Sequence, residues 1–262
     1  MNFHTIQSRR IETLRLPAAQ PREQAPAIVF LHEGLGSLAM WRDFPQQIAD
    51  ATGCEAIVYS RYGYGRSEPL AESRRPGYMH DEALAALPEL LDQLEIERPI
   101  LFGHSDGGSI ALLHAGTGTR PVAGVIVMAP HVLVEDMSIA GIARARQAYL
   151  CSDLRARLAR YHDDPDATFM GWNDIWLDPA FRSWNIEACL PGIACPVLAI
   201  QGEDDEYASM DHLERIGRQA ADVELVKLAD CRHSPHKDQP QAVIAAVADF
   251  VARISRGRGS AA

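Results

Sequence analysis

The chain is poor in what several protein classes require. Its five cysteines (Cys54, Cys151, Cys189, Cys195, Cys231) are scattered over 262 residues with no C-x-x-C pair. That spacing gives neither a disulfide framework nor a zinc site, and is expected of reduced thiols in a cytoplasmic protein. No stretch approaches the roughly 18 unbroken apolar residues of a membrane span, and Met1 to Leu16 carries no apolar export core. Positive charge is in deficit, with 25 Lys plus Arg against 35 Asp plus Glu and a net charge of -10. This balance opposes phosphate backbones and anionic membranes, so neither nucleic acid nor membrane is an expected partner. Nucleotide-binding signatures are missing too: no G-x-G-x-x-G follows the first apolar strand and no G-x-x-x-x-G-K-[ST] occurs. Repeats and low-complexity tracts are absent, and only residues 256–262, RGRGSAA, have the composition of a frayed tail.

What is present is core material. Hydrophobic residues make up 47% and charged residues 23%, enough for one large core with an insertion. Apolar runs recur at Ala27 to Leu31, Ala56 to Tyr59, Pro99 to Phe102, Val122 to Met128, Val197 to Ile200 and Val223 to Leu228. Apolarity without alternation marks strands covered on both faces. Helical stretches such as Asp81 to Leu94 and Gln241 to Ile254 intervene, so the expected fold is α/β with a mostly parallel sheet. Phe3 to Leu16 alternates and reads as an antiparallel hairpin at the sheet edge.

One interval breaks the rhythm, because residues 130 to 196 far exceed the dozen or so that a strand crossover needs. It holds helical stretches at Ile139 to Tyr149 and Asp153 to His162, then Trp172, Trp176, Phe181 and Trp184. The expected organisation is a core of residues 1–130 and 196–262 with a helical cap at 131–195. The rings either form the cap's own core or line a substrate pocket. Arg144, Arg146, Arg155, Arg157 and Arg160 read as a solvated helix face, with the phosphates of a coenzyme A thioester as the alternative.

The chemistry begins at Gly103-His104-Ser105-Asp106-Gly107. G-x-S-x-G alone is weak, since a chain of this length contains it by chance roughly one time in ten. Its place between a strand and a helical run strengthens it: that turn thrusts a serine hydroxyl out at the sheet's top and needs tiny neighbours. A serine hydroxyl needs a histidine to take its proton and a carboxylate to orient the imidazole. Gln201-Gly202-Glu203-Asp204-Asp205-Glu206 follows one later strand and Asp230-Cys231-Arg232-His233-Ser234-Pro235-His236 the next. Composition alone does not choose among the four acids or between the two histidines.

These motifs, with Leu31-His32-Glu33-Gly34-Leu35-Gly36-Ser37 and Arg61-Tyr62-Gly63-Tyr64-Gly65-Arg66-Ser67, resemble those of α/β-hydrolase fold serine hydrolases, in particular a capped, esterase-like group. The order Ser, Asp, His is that family's. The resemblance implies Ser105 as nucleophile, Asp205 as orienting acid and His233 as general base, although Arg232 replaces the usual small residue before the histidine. It implies no metal and no organic cofactor. Two backbone N–H groups must hold the oxyanion: one expected from Asp106, at a helix N-terminus, the other from Gly34, with Leu35 as alternative. Leu35, Trp172 and Trp176 are the expected substrate contacts. His104 is expected to be structural. Glu33 and Asp106 fall near the future oxyanion; the expectation is that Asp106 caps or bridges and that Glu33 is held by Arg61 or Arg66. The implied activity is hydrolysis of a carboxylic ester or thioester of a small acid, aromatic acids included. Carbon–carbon bond hydrolysis of ring-cleavage products and non-catalytic binding of a small ligand are the alternatives.

Overall fold

The computed structural model describes residues 1–118 and 120–256. The tail reading, from 257 onward, lies outside them. Eight strands form one sheet in the order β1-β2-β4-β3-β5-β6-β7-β8. These are β1 (Asn2–Ile6), β2 (Arg9–Leu16), β3 (Ile28–Leu31), β4 (Ala56–Tyr59), β5 (Ile100–His104), β6 (Gly124–Met128), β7 (Val197–Gly202) and β8 (Val223–Leu228). The hairpin read from Phe3 to Leu16 is β1 and β2, antiparallel to each other, with β2 also antiparallel to β4. All other pairs are parallel. The helices are α1 (Phe44–Thr52), α2 (Tyr78–Asp81), α3 (Leu87–Gln93), α4 (Asp106–Gly116), α5 (Asp136–Cys151), α6 (Leu154–Leu158), α7 (Pro165–Leu177), α8 (Asp211–Gln219), α9 (Pro235–Asp238) and α10 (Pro240–Arg256).

The central strands are apolar throughout because both faces are covered. Val29, Leu31, Leu101, Val125 and Val127 belong to one buried cluster with Leu87, Leu91 and Ile110. Their neighbours Ile28, Phe30, Ile100, Phe102 and Ile126 belong to the other, with Ile48 and Phe250. This is the two-residue alternation of a strand, apolar on each side. Strand order reverses between β3 and β5, and the crevice beyond the carboxyl ends of strands at such a switch point is where α/β sheets bind ligands. The loop opening at His32 and the turn at Ser105 both fall there.

Three elements depart from the expectations. β8 is an edge strand: Glu224, Leu225 and Lys227 are exposed, so its apolar residues are not covered on both faces. The helix read as Asp81 to Leu94 starts at Tyr78 and passes through a π turn at Glu82–Ala86. Pro88 has no N–H to give the carbonyl of Leu84, so the winding loosens just before it. The helix read as Asp153 to His162 is regular only over Leu154–Leu158. The chain then turns inward, burying His162, whose Nδ1 accepts from the Gly65 N–H at 2.9 Å and whose Nε2 donates to the Leu35 carbonyl at 3.0 Å.

Candidate active site

Ser105 sits where β5 ends and α4 begins, with φ 52° and ψ -117°. The flanking glycines are required by close approach. A Cβ on Gly103 would lie 2.2 Å from the Gly107 carbonyl oxygen, and one on Gly107 2.0 Å from that of Leu31. Strand, sharp turn and helix thus hold the serine side chain at the sheet's carboxyl edge, with Ser105 only 6% exposed.

Asp205 follows β7 and His233 follows β8. The structure brings both to Ser105: His233 Nε2 lies 3.0 Å from Ser105 Oγ, and Nδ1 lies 2.8 and 3.0 Å from the two carboxylate oxygens of Asp205. Asp205 is acceptor-only when ionised, so Nδ1 carries the proton and Nε2 is left to accept from the serine hydroxyl. The carboxylate is itself fixed. Its Oδ1 accepts from the N–H groups of Tyr207 (2.9 Å) and Ala208 (3.2 Å), and Oδ2 accepts from Gln201 Nε2 (3.3 Å). Glu206 accepts from the His233 N–H at 3.3 Å and makes no contact with the ring nitrogens. His236 points elsewhere, packing against Trp41, Phe44 and His104.

A cavity of about 140 Å³ opens over Ser105. Gly34, Leu35, Asp106, Trp172, Trp176 and His233, read from the sequence, all line it, and Glu33, His131, Ile142 and Tyr207 complete it. Trp172 explains Gly34: a Cβ there would lie 2.1 Å from the indole nitrogen. His131 and Tyr207 were missed by the sequence reading. His131 lies three residues past β6, and that position, just beyond a parallel strand at the ligand edge, is the signal that marks it. Burial holds its imidazole well below the ordinary histidine range, so it is neutral, and its Nδ1 has no partner among the described residues.

The two acids near the serine are held differently. Asp106 is buried; its Oδ2 accepts from the Tyr78 hydroxyl at 2.7 Å and lies 3.9 Å from Arg61 Nη2. Burial and the Asp106 charge push the Tyr78 hydroxyl well above the usual tyrosine range, so it stays a donor. Tyr78 Oη in turn accepts from Trp176 Nε1 at 3.2 Å, tying α7 to the turn after Ser105. Asp106 therefore bridges, as expected. Glu33 is not held by Arg61 or Arg66. Arg61 donates to the main-chain carbonyls of His32 (3.2 Å) and Glu33 (3.0 Å), and Arg66 pairs with Asp163. The Glu33 carboxylate turns the other way, toward His104 Nδ1 (3.5 Å) and Lys237 Nζ (3.6 Å). Burial works against its charge, but these two partners hold it well below the usual carboxylate range. His104 donates from Nε2 to the His233 carbonyl at 2.7 Å.

Of the five arginines at 144–160, Arg146 pairs with Asp174, Arg155 with Asp166 and Arg157 with Asp153. No group of His, Cys, Asp and Glu among the described residues forms a metal-holding cluster, and no helix among them is long and apolar enough to cross a membrane.

A mostly parallel eight-stranded sheet, flanked by helices and with a serine turn at its switch point, is the architecture of the hydrolases built on this fold. The chain belongs to the alpha/beta hydrolase family, whose model matches residues 28–246. It is 23% identical over 277 residues to a 2-hydroxy-6-oxo-6-phenylhexa-2,4-dienoate hydrolase of Burkholderia cepacia, covering 95% of this chain and 96% of that one. Among solved structures, the enol-lactonase of Burkholderia xenovorans LB400 superposes with a TM-score of 0.76 at 20% identity, covering 96% of this chain and 100% of that one. A thermophilic esterase of Thermogutta terrifontis gives 0.74 at 18% identity, covering 97% and 98%. At these identities the structural matches carry the fold.

Proposed function

We propose that the chain is a capped, esterase-like serine hydrolase that cleaves a carboxylic ester or thioester of a small, uncharged acid, through an acyl-enzyme on Ser105. One observation carries this reading: the continuous relay from Ser105 Oγ through His233 to Asp205, at 3.0 and 2.8 Å. In this reading His233 Nε2 takes the hydroxyl proton as Oγ attacks the acyl carbon, and Asp205 stabilises the imidazolium that forms. The N–H groups of Asp106 and Gly34 receive the developing oxyanion, a contribution of about 3 kcal/mol per donor. His233 then protonates the leaving group, and water activated by the same imidazole frees the acid. Residues 131–195 act as the cap, closing Trp172 and Trp176 over the acyl group.

The cavity's size and charge narrow the acid. About 140 Å³ is well below the roughly 300–1,000 Å³ of drug-sized sites, which suits a small acyl group. Both acidic walls, Glu33 and Asp106, repel a carboxylate on the substrate. Carbon–carbon bond hydrolysis of a ring-cleavage product is the second reading, favoured by the dienoate hydrolase relative; the acidic walls weigh against a dienoate.

Labelling with a fluorophosphonate tests the nucleophile, and a panel of p-nitrophenyl esters run beside a dienoic ring-fission product tests the bond. The expected outcome is labelling of wild type but not of Ser105→Ala, with turnover of short-chain and aromatic esters. Equal labelling of both proteins would remove Ser105 from the reaction, and turnover of the dienoic compound alone would replace the ester reading by the second one.

A further inference from the structure

A second cavity, of about 610 Å³, shares no lining residue with the reaction pocket and comes near it through one side-chain pair. Glu33 is the wall between them: it lines the first cavity, and its carboxylate lies 3.6 Å from Lys237, which lines the second. The groove lies between the turn at Leu38–Trp41 with the start of α1, the end of α6, and α9. Arg42, Arg157, Arg160 and Lys237 line it against a single acid, Asp43, among its described lining residues. Arg42 and Arg160 have no ionic partner among the described residues. In a chain of net charge -10, four cations against one lining acid make the groove's wall basic even with Arg157 paired to Asp153 and Lys237 to Glu33.

Two buried ring nitrogens strengthen the reading. Trp41 and His236, 3% and 6% exposed, both line the groove with their rings 5.0 Å apart. Neither Trp41 Nε1 nor His236 Nδ1 has a hydrogen-bond partner among the described residues. An indole N–H can only donate, and a buried donor left unpaired costs about 1–3 kcal/mol, a cost that an acceptor reaching it from the groove would relieve. Burial, reinforced by nearby His104, holds the His236 imidazole well below the ordinary histidine range, leaving one ring N–H for the same purpose.

We infer that this groove seats the phosphate groups of the substrate's leaving arm, so that the substrate class is an acyl thioester whose thiol carries phosphates, the coenzyme A pattern. The inference rests on the Ser105 reading above and narrows it. The acidic pocket takes the small acyl group while the basic groove takes the phosphates that pocket would repel. In the step proposed, Ser105 Oγ bonds to the acyl carbon as the carbon–sulfur bond breaks. His233 passes the serine's proton to the departing sulfur, freeing the thiol. Water then cleaves the acyl-enzyme ester, yielding the carboxylic acid and the free serine.

The test compares hydrolysis of benzoyl-coenzyme A with that of benzoyl-N-acetylcysteamine, which has the same acyl group and no phosphates. Wild type and an Arg42→Gln/Arg160→Gln double variant are used, both positions being solvent-exposed, with thermal melts to confirm folding. Calorimetry on Ser105→Ala protein, with and without the double change, measures binding of adenosine 3′,5′-bisphosphate and of inorganic phosphate. Expected are a kcat/KM at least tenfold higher for the coenzyme A thioester, carried by KM, and a ratio falling toward one in the double variant and at high salt. Bisphosphate binding should be lost with the same change. Equal kcat/KM for both thioesters in wild type, or an unchanged ratio in a folded double variant, would overturn the groove's role. Inorganic phosphate binding as tightly as the bisphosphate without any thioester preference would reduce the groove to a free-phosphate site and also overturn it. Bisphosphate binding with no turnover of any ester or thioester would instead overturn the Ser105 reading, and the thioester assignment with it.

Discussion

The Nε2 of His104 donates to the main-chain carbonyl of His233 at 2.7 Å, joining the end of β5 to the loop that carries the proposed base. The bond fixes the backbone from which the His233 ring reaches Ser105, and the Glu33 carboxylate lies 3.5 Å from Nδ1 on the other side of the ring. We predict that His104 acts as a positioning residue. His104→Ala should lower kcat by about tenfold or more, because small misplacements of a reacting group are costly, with KM little changed. The fluorophosphonate labelling rate should fall in parallel. A variant that loses only thermal stability, with an undiminished labelling rate, would make His104 merely structural.

Tyr78 carries a different load. Its hydroxyl donates to Asp106 and accepts from Trp176, so Tyr78→Phe leaves a buried carboxylate with Arg61, 3.9 Å away, as its charge partner. Leaving a charged acceptor short of a donor costs about 1–3 kcal/mol. Urea unfolding should show a loss in that range, whereas Tyr62→Phe, whose hydroxyl serves an exposed Glu72, should stay within about 0.5 kcal/mol.

Gly34 is predicted to reject even one carbon. A Cβ there meets the Trp172 indole nitrogen at 2.1 Å, so Gly34→Ala must displace the ring or the loop bearing the proposed oxyanion donor. Losing one such donor costs about 10²–10³ in kcat. Ester hydrolysis by Gly34→Ala should fall by that order. Gly77→Ala, where a Cβ meets nothing within 4 Å, serves as the control and should keep its rate.

Much of this was legible in the chain because local chemistry and global fold agree at these positions. Continuous apolar runs gave the parallel strands, and the alternation of Phe3 to Leu16 gave the hairpin. The serine turn was visible since its glycines are demanded by backbone contact, not by side-chain packing. What escaped depends on partners distant in sequence. His131 was hidden because its one signal, a place just past a parallel strand, has no motif around it. The true partners of Glu33 were hidden because Lys237 and His104 reach it from two other segments. The helix at Pro165–Leu177 also went unread, although Asp164 caps it by accepting from the Ala167 N–H at 2.9 Å and Pro165 opens it. Asp-Pro ahead of Phe169, Trp172 and Trp176 was the available signal. β8 was misjudged since an edge position is decided by topology and not by its own residues.

Acid stability offers a test of the link between β6 and the loop holding Asp205. Glu135 accepts from His212 Nε2 at 2.9 Å and from the N–H and hydroxyl of Ser209, and the neighbouring Ser138 hydroxyl donates to the Tyr207 carbonyl. Burial raises the Glu135 carboxyl, but the bonds from His212 and Ser209 outweigh it and pull it down to about 2. A folded-state value below the unfolded one means stability that is complete above the unfolded value of about 4.5 and is lost as pH falls toward 2. With the side chain 20% exposed, the contribution is about 1–3 kcal/mol at neutral pH. Glu135→Gln should therefore unfold more readily than wild type in urea at pH 7 by that amount, and the gap should shrink progressively below about pH 4.5 and be small near pH 2, where wild type in both states is largely protonated. A gap that persists undiminished at pH 2.5 would mean that shape and packing, not the carboxylate's charge, account for the loss.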